Sequence, residues 1–563
     1  MDLPTGLLLG GAFLAAWASW VVPNHYPPWI TFHGELAMAI AVALVGIWLL
    51  WRTRATLTRL PGFAALALLA AAVPLVQSAA GLITFFGDAA VPAAYLVAFA
   101  LACWFGYAAV AGAGFDRALG PIWSVVVAGA VVSAGLALYQ WQGLDYLSYA
   151  AIQIAPGARP FANLIQANQL ATLLVLGGIG IAALHETGQI GGRCAFGAVA
   201  FLGLPLALTQ SRAGLLEVAV IGALFAARRR VLSTRLRLGW VLSAVAMVLA
   251  FALAWAFVAE TGEAGPSPRG LGEMVRPGVR PLHWLTMLDA IGRQPWFGYG
   301  WNQVNAAQYT VALDHPASYE TLGHSHNLVL DLLVYNGVPT GAALVLGLLA
   351  WFWRAGRRIE GTTAVLALAA TLAVFVHALV EFPLHYSYFL LPTGFLMGAV
   401  SFAAGFRTLS AGRWLAPLLL ALSIGAGAVI TADYAEIEAR VRQMRFEVAR
   451  VGLNRPPLTP WSSRILTQLE HFWNYAIERE HREMSAGELR EAELIVRRFP
   501  SKENMLRLAA AYALNGRGPE APPQLERICR MNPPSACDWA RQVWAFKSKQ
   551  DPEIAAVVWP SIE

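Results

Sequence analysis

Thirteen apolar runs fill the chain as far as residue 431, most of them 16 to 26 residues long. About 20 apolar residues cross the roughly 30 Å hydrocarbon core of a bilayer. In lipid every backbone N–H and C=O must find a partner inside the protein, and a helix supplies it within each run. The runs lie near 5–23, 34–51, 62–78, 90–113, 121–140, 169–184, 194–209, 213–227, 239–259, 328–353, 362–380, 387–406 and 414–431. The seventh and eighth are short for a crossing. The chain is 57% hydrophobic and only 13% charged, against about 25% charged in soluble domains. The expected fold is all-α, a polytopic membrane protein with about 13 transmembrane helices. No basic segment precedes the first run and no Ala-x-Ala-like site follows it, so it reads as a span rather than a cleaved signal peptide.

Arginine sets the orientation. With the N-terminus inside, the cytoplasmic loops hold Arg52, Arg54 and Arg59, then Arg117, Arg193, Arg228 to Arg237, Arg354 to Arg358, and Arg407 with Arg413. The opposite short loops 24–33, 79–89 and 381–386 have neither lysine nor arginine. This is the positive-inside pattern along the whole chain. It also accounts for the net charge of +6. No aromatic-basic nucleic-acid motif accompanies that charge, so nucleic acid is not an expected partner and membrane lipid is.

The polar segments then share the outer side: 141–168, Gln210-Ser211-Arg212, a large loop at 260–327, and Glu381 to Tyr388. Arg159, Arg212, Arg269, Arg276, Arg280 and Arg293 stand there against the charge rule, and each needs a specific reason. After residue 432 the composition turns charged and helical in pattern. The expected division is a transmembrane domain at 1–432 and an outer α-helical domain at 433–563. Its stretch from Glu491 to Pro533 resembles one degenerate tetratricopeptide-like hairpin, and a plain helical bundle fits equally. Cys103 and Cys194 lie in or beside apolar runs as small core residues. Cys529 and Cys537 flank a polar stretch where a disulfide or two free thiols are both open.

Chemistry concentrates in the outer segments. His324 and His326, in Gly323-His-Ser-His-Asn327, adjoin the start of a span; imidazole accepts a proton near neutral pH. A solvated helix start capped by Ser325 or Asn327 is the bland alternative. A His-x-His metal site has no obvious third ligand beyond Asp314, His315 or Glu320 upstream. Arg280 precedes an amphipathic segment and offers a fork for an anion, or snorkels to lipid phosphate. Arg212 lies near membrane depth, where burial with an anion or acid explains it best, and Glu217 is a candidate partner. Asn163, Gln166 and Gln169 present carboxamides, which both donate to and accept from sugar hydroxyls. Pro383 breaks the helix beside Glu381, offering that carboxylate with Tyr386 and Tyr388 to the same side. No phosphate-binding glycine loop, Ser-His-Asp signature or Asp-x-Asp-like metal motif stands out.

These residues resemble a family. Gln210-Ser-Arg-Ala-Gly214, Arg280-x-x-x-Trp284, Pro295-x-x-Gly298-x-Gly300 and His324-x-His326-Asn327 are similar to the O-antigen ligase and polymerase (WaaL/Wzy) superfamily. Arg159-Pro-Phe-Ala-Asn-Leu-Ile-Gln-Ala-Asn-Gln169 and Glu381-x-Pro-Leu-x-Tyr-x-Tyr-Phe389 resemble its PglL-type protein O-oligosaccharyltransferases more narrowly. The resemblance runs from about residue 70 to 405. It implies a bacterial inner-membrane glycosyltransferase that uses no metal or cofactor, with its site and its C-terminal domain in the periplasm. The donor would be a glycan on undecaprenyl diphosphate. The acceptor would be a serine or threonine hydroxyl of pilin or another periplasmic protein. It implies His326 as base, with His324 as alternate, and Arg212 and Arg280 on the diphosphate. Asn163, Gln166, Gln169, Glu381, Tyr386 and Tyr388 would hold glycan or acceptor. Direct attack would invert the anomeric carbon. An O-antigen ligase or a Wzy-type polymerase would share the chemistry. A transporter is the reading from another class, and the few mid-helix ionisable residues speak against it.

Overall fold

The computed structural model describes residues 3–52, 56–147, 149–260, 278–452 and 457–561, which are predominantly helical. Arg54, Arg269 and Arg276, with most of the first third of the 260–327 loop, lie outside the described residues.

Each apolar run is a helix. They are α1 Leu3–Val21, α2 Phe32–Arg52, α3 Gly62–Ala79, α4 Phe86–Ala113, α5 Phe115–Trp141, α6 Ala167–Glu186, α7 Gly192–Leu208, α8 Arg212–Ala227 and α9 Leu238–Glu260. After two shorter helices, α10 Arg280–Arg293 and α11 Val304–Val311, come α12 Leu328–Arg358, α13 Thr362–Ala378, α14 Ser387–Ala403 and α15 Leu415–Val448. Among the described residues nine helices are long and apolar enough to cross a membrane, and α7, α13 and α14 are shorter apolar helices. The chain is a multi-pass membrane protein. Nine qualify where thirteen runs were expected to cross, because α7, α8, α13 and α14 have only 16 or 17 residues.

The helices fall into two compact units that interleave along the chain. The first comprises Met1–Ala71, Ala94–Arg276 and Leu348–Gly427; the second comprises Ala72–Ala93, Pro277–Gly347 and Ala428–Glu563.

In the first unit small residues let helices touch. A Cβ on Gly106 would collide with the Phe395 carbonyl, and one on Gly398 with that of Cys103. This is membrane packing by dispersion and close backbone approach. Loops that the arginine pattern assigns to one side bond to one another. Arg59–Pro61 (β1) pairs antiparallel with Thr408–Ser410 (β2). Ser233 joins Glu186 at 2.5 Å and Thr362 at 2.8 Å. Loops assigned to the other side also meet: His25 bonds the Asn163 carbonyl at 2.7 Å, and Asn168 bonds Glu381 at 2.9 Å.

In the second unit the C-terminal helices are α16 Thr467–Ile477, α17 Ala486–Arg498, α18 Lys502–Leu514, α19 Ala521–Met531, α20 Pro534–Ser548 and α21 Pro552–Ala555. Val496, Met505, Leu508, Leu525, Ile528 and Trp544 form their core, and Tyr309 of α11 packs against it. Tyr309 donates to Gln524 at 2.6 Å, and Arg530 reaches the His315 carbonyl at 2.8 Å. Cys529 and Cys537 are disulfide-bonded, linking α19 to α20 beside these contacts. Arg498 clasps buried Asp88 through two bonds of 2.6 and 2.8 Å. The polar tail and the loop before His324 are therefore built on one core.

The Pro295-x-x-Gly298-x-Gly300 segment has a packing reason. It lies along α12, with Tyr299 N bonded to the Val334 carbonyl at 2.8 Å and Gly300 N to that of Tyr335 at 3.1 Å. Val338 N returns a bond to Pro295 at 2.7 Å. The helix breaks there at Gly337, with φ 71°. Gly298 also has positive φ, and a Cβ on it would strike the Val334 carbonyl. Only glycine suits both positions.

Candidate active site

In the second unit the site is a turn held by one tryptophan. Positions i, i+3 and i+4 of a helix share a face, which puts Arg280, His283 and Trp284 together on α10. Trp284 Nε1 donates to the Ser325 carbonyl at 3.1 Å, between the two histidines. Buried Ser325 is fixed further: its N–H donates to Asp331 at 2.8 Å and its hydroxyl to the Asn327 carbonyl at 2.9 Å. Asn327 Oδ1 accepts from Val329 N at 2.9 Å and Leu330 N at 3.2 Å, so it caps α12. His324 and His326 are both half-buried. His326 sits at φ 55°. Such a conformation costs a side-chain-bearing residue roughly 1–3 kcal/mol and persists where the surroundings over-determine it.

His283 was not singled out from the sequence. It is 2% exposed, and its Nε2 has no hydrogen-bond partner. Glu320 lies 3.9 Å away with its side chain about half exposed, too distant for a hydrogen bond and too solvated to hold a proton on the ring. Burial first, then the charges of His326 and Arg280, push the His283 pKa down to about 4. The ring is neutral at pH 7. Its folded pKa is below the ordinary value of about 6.5, so the unfolded chain binds more protons between those two values. Stability contributed by the neutral ring is complete above pH 6.5 and is lost as pH falls toward 4. A His283→Gln protein should show a flatter fall in Tm across that window than the parent. Equal slopes in thermal melts at stepped pH would refute the assignment.

In the first unit Asn168 is the hub. Its Oδ1 accepts from Arg159 Nη2 and from Ser211 Oγ, both at 3.0 Å, and its Nδ2 donates to Glu381. Three sequence segments singled out separately thus meet on one carboxamide. Arg159 also reaches the Thr209 carbonyl at 2.6 Å. Ser211 caps α8 by accepting from Gly214 N at 3.1 Å, and half-buried Arg212 is the first residue of that helix. Gln210 has φ 46° and Ala162 φ 55°. Each of these two segments, like the histidine turn, carries one left-handed residue without being glycine.

Gln169 is 1% exposed and accepts from Tyr388 at 2.9 Å, and its side chain also meets the Tyr386 hydroxyl. Tyr386 and Tyr388 stack at 5.3 Å. Burial, then Glu35, raise the Tyr386 pKa, so this phenol stays neutral. Glu35 anchors the loop, accepting from Ser387 N at 3.0 Å, Trp29 at 2.9 Å and the Tyr95 hydroxyl. Gln166 occupies the N-cap position of α6. Asn163 spends its amide on the protein itself, bonding Ile152 N at 3.0 Å and the carbonyls of Val21 and Ala150 at 2.6 and 2.7 Å. One turn below Asn168, Thr172 donates to Glu217 at 2.7 Å and meets His377 Nδ1 at 2.7 Å. Glu217, offered by sequence to Arg212, is thus placed in a fully buried cluster on α6, α8 and α13.

Comparison with known proteins adds to this geometry. Residues 197–345 match the family model described as O-antigen ligase. Residues 365–547 match that of the virulence factor membrane-bound polymerase, C-terminal. The chain is 31% identical over 412 residues, 70% of its length and 69% of the relative's, to a general O-oligosaccharyltransferase of Acinetobacter baylyi. A ComP-specific O-oligosaccharyltransferase of the same organism is 35% identical over 118 residues, 21% of this chain and 22% of that one.

Proposed function

Because the chain belongs to the PglL-type O-oligosaccharyltransferases of the O-antigen ligase and polymerase superfamily, we propose that it moves a preassembled glycan en bloc from undecaprenyl diphosphate to protein. The acceptor is a serine or threonine hydroxyl of pilin or another periplasmic protein. The observation that carries this reading is the pinned turn at Ser325, with His326 left-handed and Arg280 one helical turn from the pinning Trp284.

A serine hydroxyl is a weak nucleophile, and a positioned base is worth about 10²–10⁴-fold. His326 takes the hydroxyl proton as the oxygen attacks the anomeric carbon, with His324 as the alternate base. The C–O bond to the diphosphate breaks on the opposite face, inverting the sugar. Arg212 and Arg280 stabilise the charge that grows on the departing diphosphate, without a metal. Gln166, Gln169, Glu381, Tyr386 and Tyr388 bind glycan or acceptor. Of these Gln169 has the clearest support, in its burial beside both tyrosines. Asn163 supports the same site by holding its loop.

The match of residues 197–345 keeps an O-antigen ligase in view, using a lipid-core sugar as acceptor. Purified protein in nanodiscs, given lipid-linked glycan with pilin or with lipid core, separates the two. Glycan on pilin serine or threonine is expected. Glycan on lipid core alone would overturn the choice of acceptor.

A further inference from the structure

One side of α10, in the second unit, is apolar and faces outward. Pro281, Leu285, Leu288 and Gly292 recur at the spacing that makes a single stripe on a helix, and all four are exposed. Leu285 is 60% exposed and Leu288 52%. The stripe holds no polar side chain. The charges of the last turns are engaged with one another and with the loop: Arg293 pairs with Asp289 at 2.7 Å and with Asp314 at 2.9 Å, and His315 meets Asp289 at 2.9 Å. Just past the helix, Trp296 and Phe297 are 70% and 77% exposed.

Helix α12 says what lies against this face. Val338 N bonds the Pro295 carbonyl, which sets Trp296 and Phe297 at the Gly337 break. A Cβ on Gly337 would strike the Trp296 carbonyl. From Val338 to Arg358 the helix runs about 20 residues and rises roughly 30 Å, enough by itself to cross the hydrocarbon core. Arg357 and Arg358 close that run. The break at its other end therefore falls at the opposite membrane surface. Val338 and Leu346, on the crossing run, are exposed apolar residues as well. The apolar face of α10 and Trp296-Phe297 thus begins where a lipid-facing span leaves the bilayer core.

We propose that α10 lies in the bilayer surface, with Leu285, Leu288, Trp296 and Phe297 against lipid acyl chains and the Asp289–Arg293–Asp314 cluster in water. An amphipathic helix in this position sinks its apolar face about 5–10 Å into the boundary between headgroups and acyl chains. Tryptophan favours the same boundary. Trp284 ties α10 to the histidine turn at Ser325, so the anchor holds that turn at the membrane surface. Its use there, meeting a lipid-linked diphosphate at headgroup height, rests on the function proposed above. A protein partner could cover an apolar face too. What favours lipid is the bonding of Trp296-Phe297 to the end of a membrane span.

Depth measurements test this. Cys194→Ser removes the exposed free thiol and leaves buried Cys103. On that background Leu285→Cys, Leu288→Cys and Phe297→Cys each take a nitroxide label in nanodiscs, with neither donor nor acceptor present. Collision rates with oxygen and with a water-soluble nickel chelate give each label's depth. All three labels should lie roughly 5–10 Å below the lipid phosphates. A label at Arg490→Cys, on an exposed side chain of α17, should read water and serves as the reference. Water at all three α10 and Phe297 positions would overturn the proposal. So would labels that read water until pilin is added, which would make this face the acceptor's docking site. The depths are read without turnover. A protein that transfers no glycan but shows these depths keeps the anchor and loses the reaction; an active protein whose labels read water loses the anchor alone.

Discussion

Replacing His326 with Asn should reduce glycan transfer by about 10²–10⁴-fold while leaving the fold intact. Asparagine suits the test because, with Asp and His, it is among the residues enriched at positive φ. It keeps the turn at φ 55° and removes the imidazole. The hydrogen bonds among Trp284, Ser325, Asn327 and Asp331 that pin the turn are not altered. Loss of the base should appear mainly in kcat, since the acceptor proton is transferred only as the bond forms. The measurement is single-turnover transfer of lipid-linked glycan to pilin, with thermal melting as the check on folding. His324→Asn should fall less. A larger loss at His324 would move the base there, and full activity in both variants would refute base catalysis by this turn.

The second large effect is expected at the arginines. Arg212→Ala and Arg280→Ala should each lower kcat by roughly 10²–10³-fold, the usual cost of removing a group that meets developing charge. Both are the first residue of a helix, α8 and α10. The positive end of the helix dipole, together with a guanidinium, favours an anion. Lysine should rescue only in part, because it brings charge without the planar fork that grips two phosphate oxygens. A raised KM with kcat unchanged would show that the arginine binds donor equally before and during reaction. Full rescue by lysine would show that point charge alone is enough.

Much of this was legible in the residues. The apolar runs became helices one for one, since a chain in lipid has few other ways to pair its backbone. Arginine clusters grouped the loops, and loops grouped together do bond to one another, as at β1 and β2. The segments around Arg159, Gln210 and Glu381 each stood out as polar where apolar sequence was expected. Other features left no local trace. Between Ser325 and Asn327, both offered as caps by the sequence, only packing chose Asn327 for α12. Asn163 looked like a sugar ligand, yet its amide is taken up by backbone groups. His283 passed unremarked between Arg280 and the amphipathic stretch that follows it. Glu217 was matched to the nearest arginine in sequence, whereas Thr172 and His377, distant in sequence, surround it.

What the sequence by itself determined is the set of helices, the polar segments between them and the family. Hydrophobic length, charge placement and short motifs encode these, and each acts over a few to some twenty residues. Tertiary structure alone decided which polar groups are spent on the protein, as Asn163 is on backbone groups. It joined the C-terminal helices to the loop before His324 through Tyr309 and Arg530, and to the start of α4 through the pair Asp88–Arg498. It set His326 left-handed and left His283 buried beside Arg280. The reason is geometric. A hydrogen bond is fixed within tenths of an ångström by groups that packing brings together from far along the chain, and no periodicity in the sequence records that meeting.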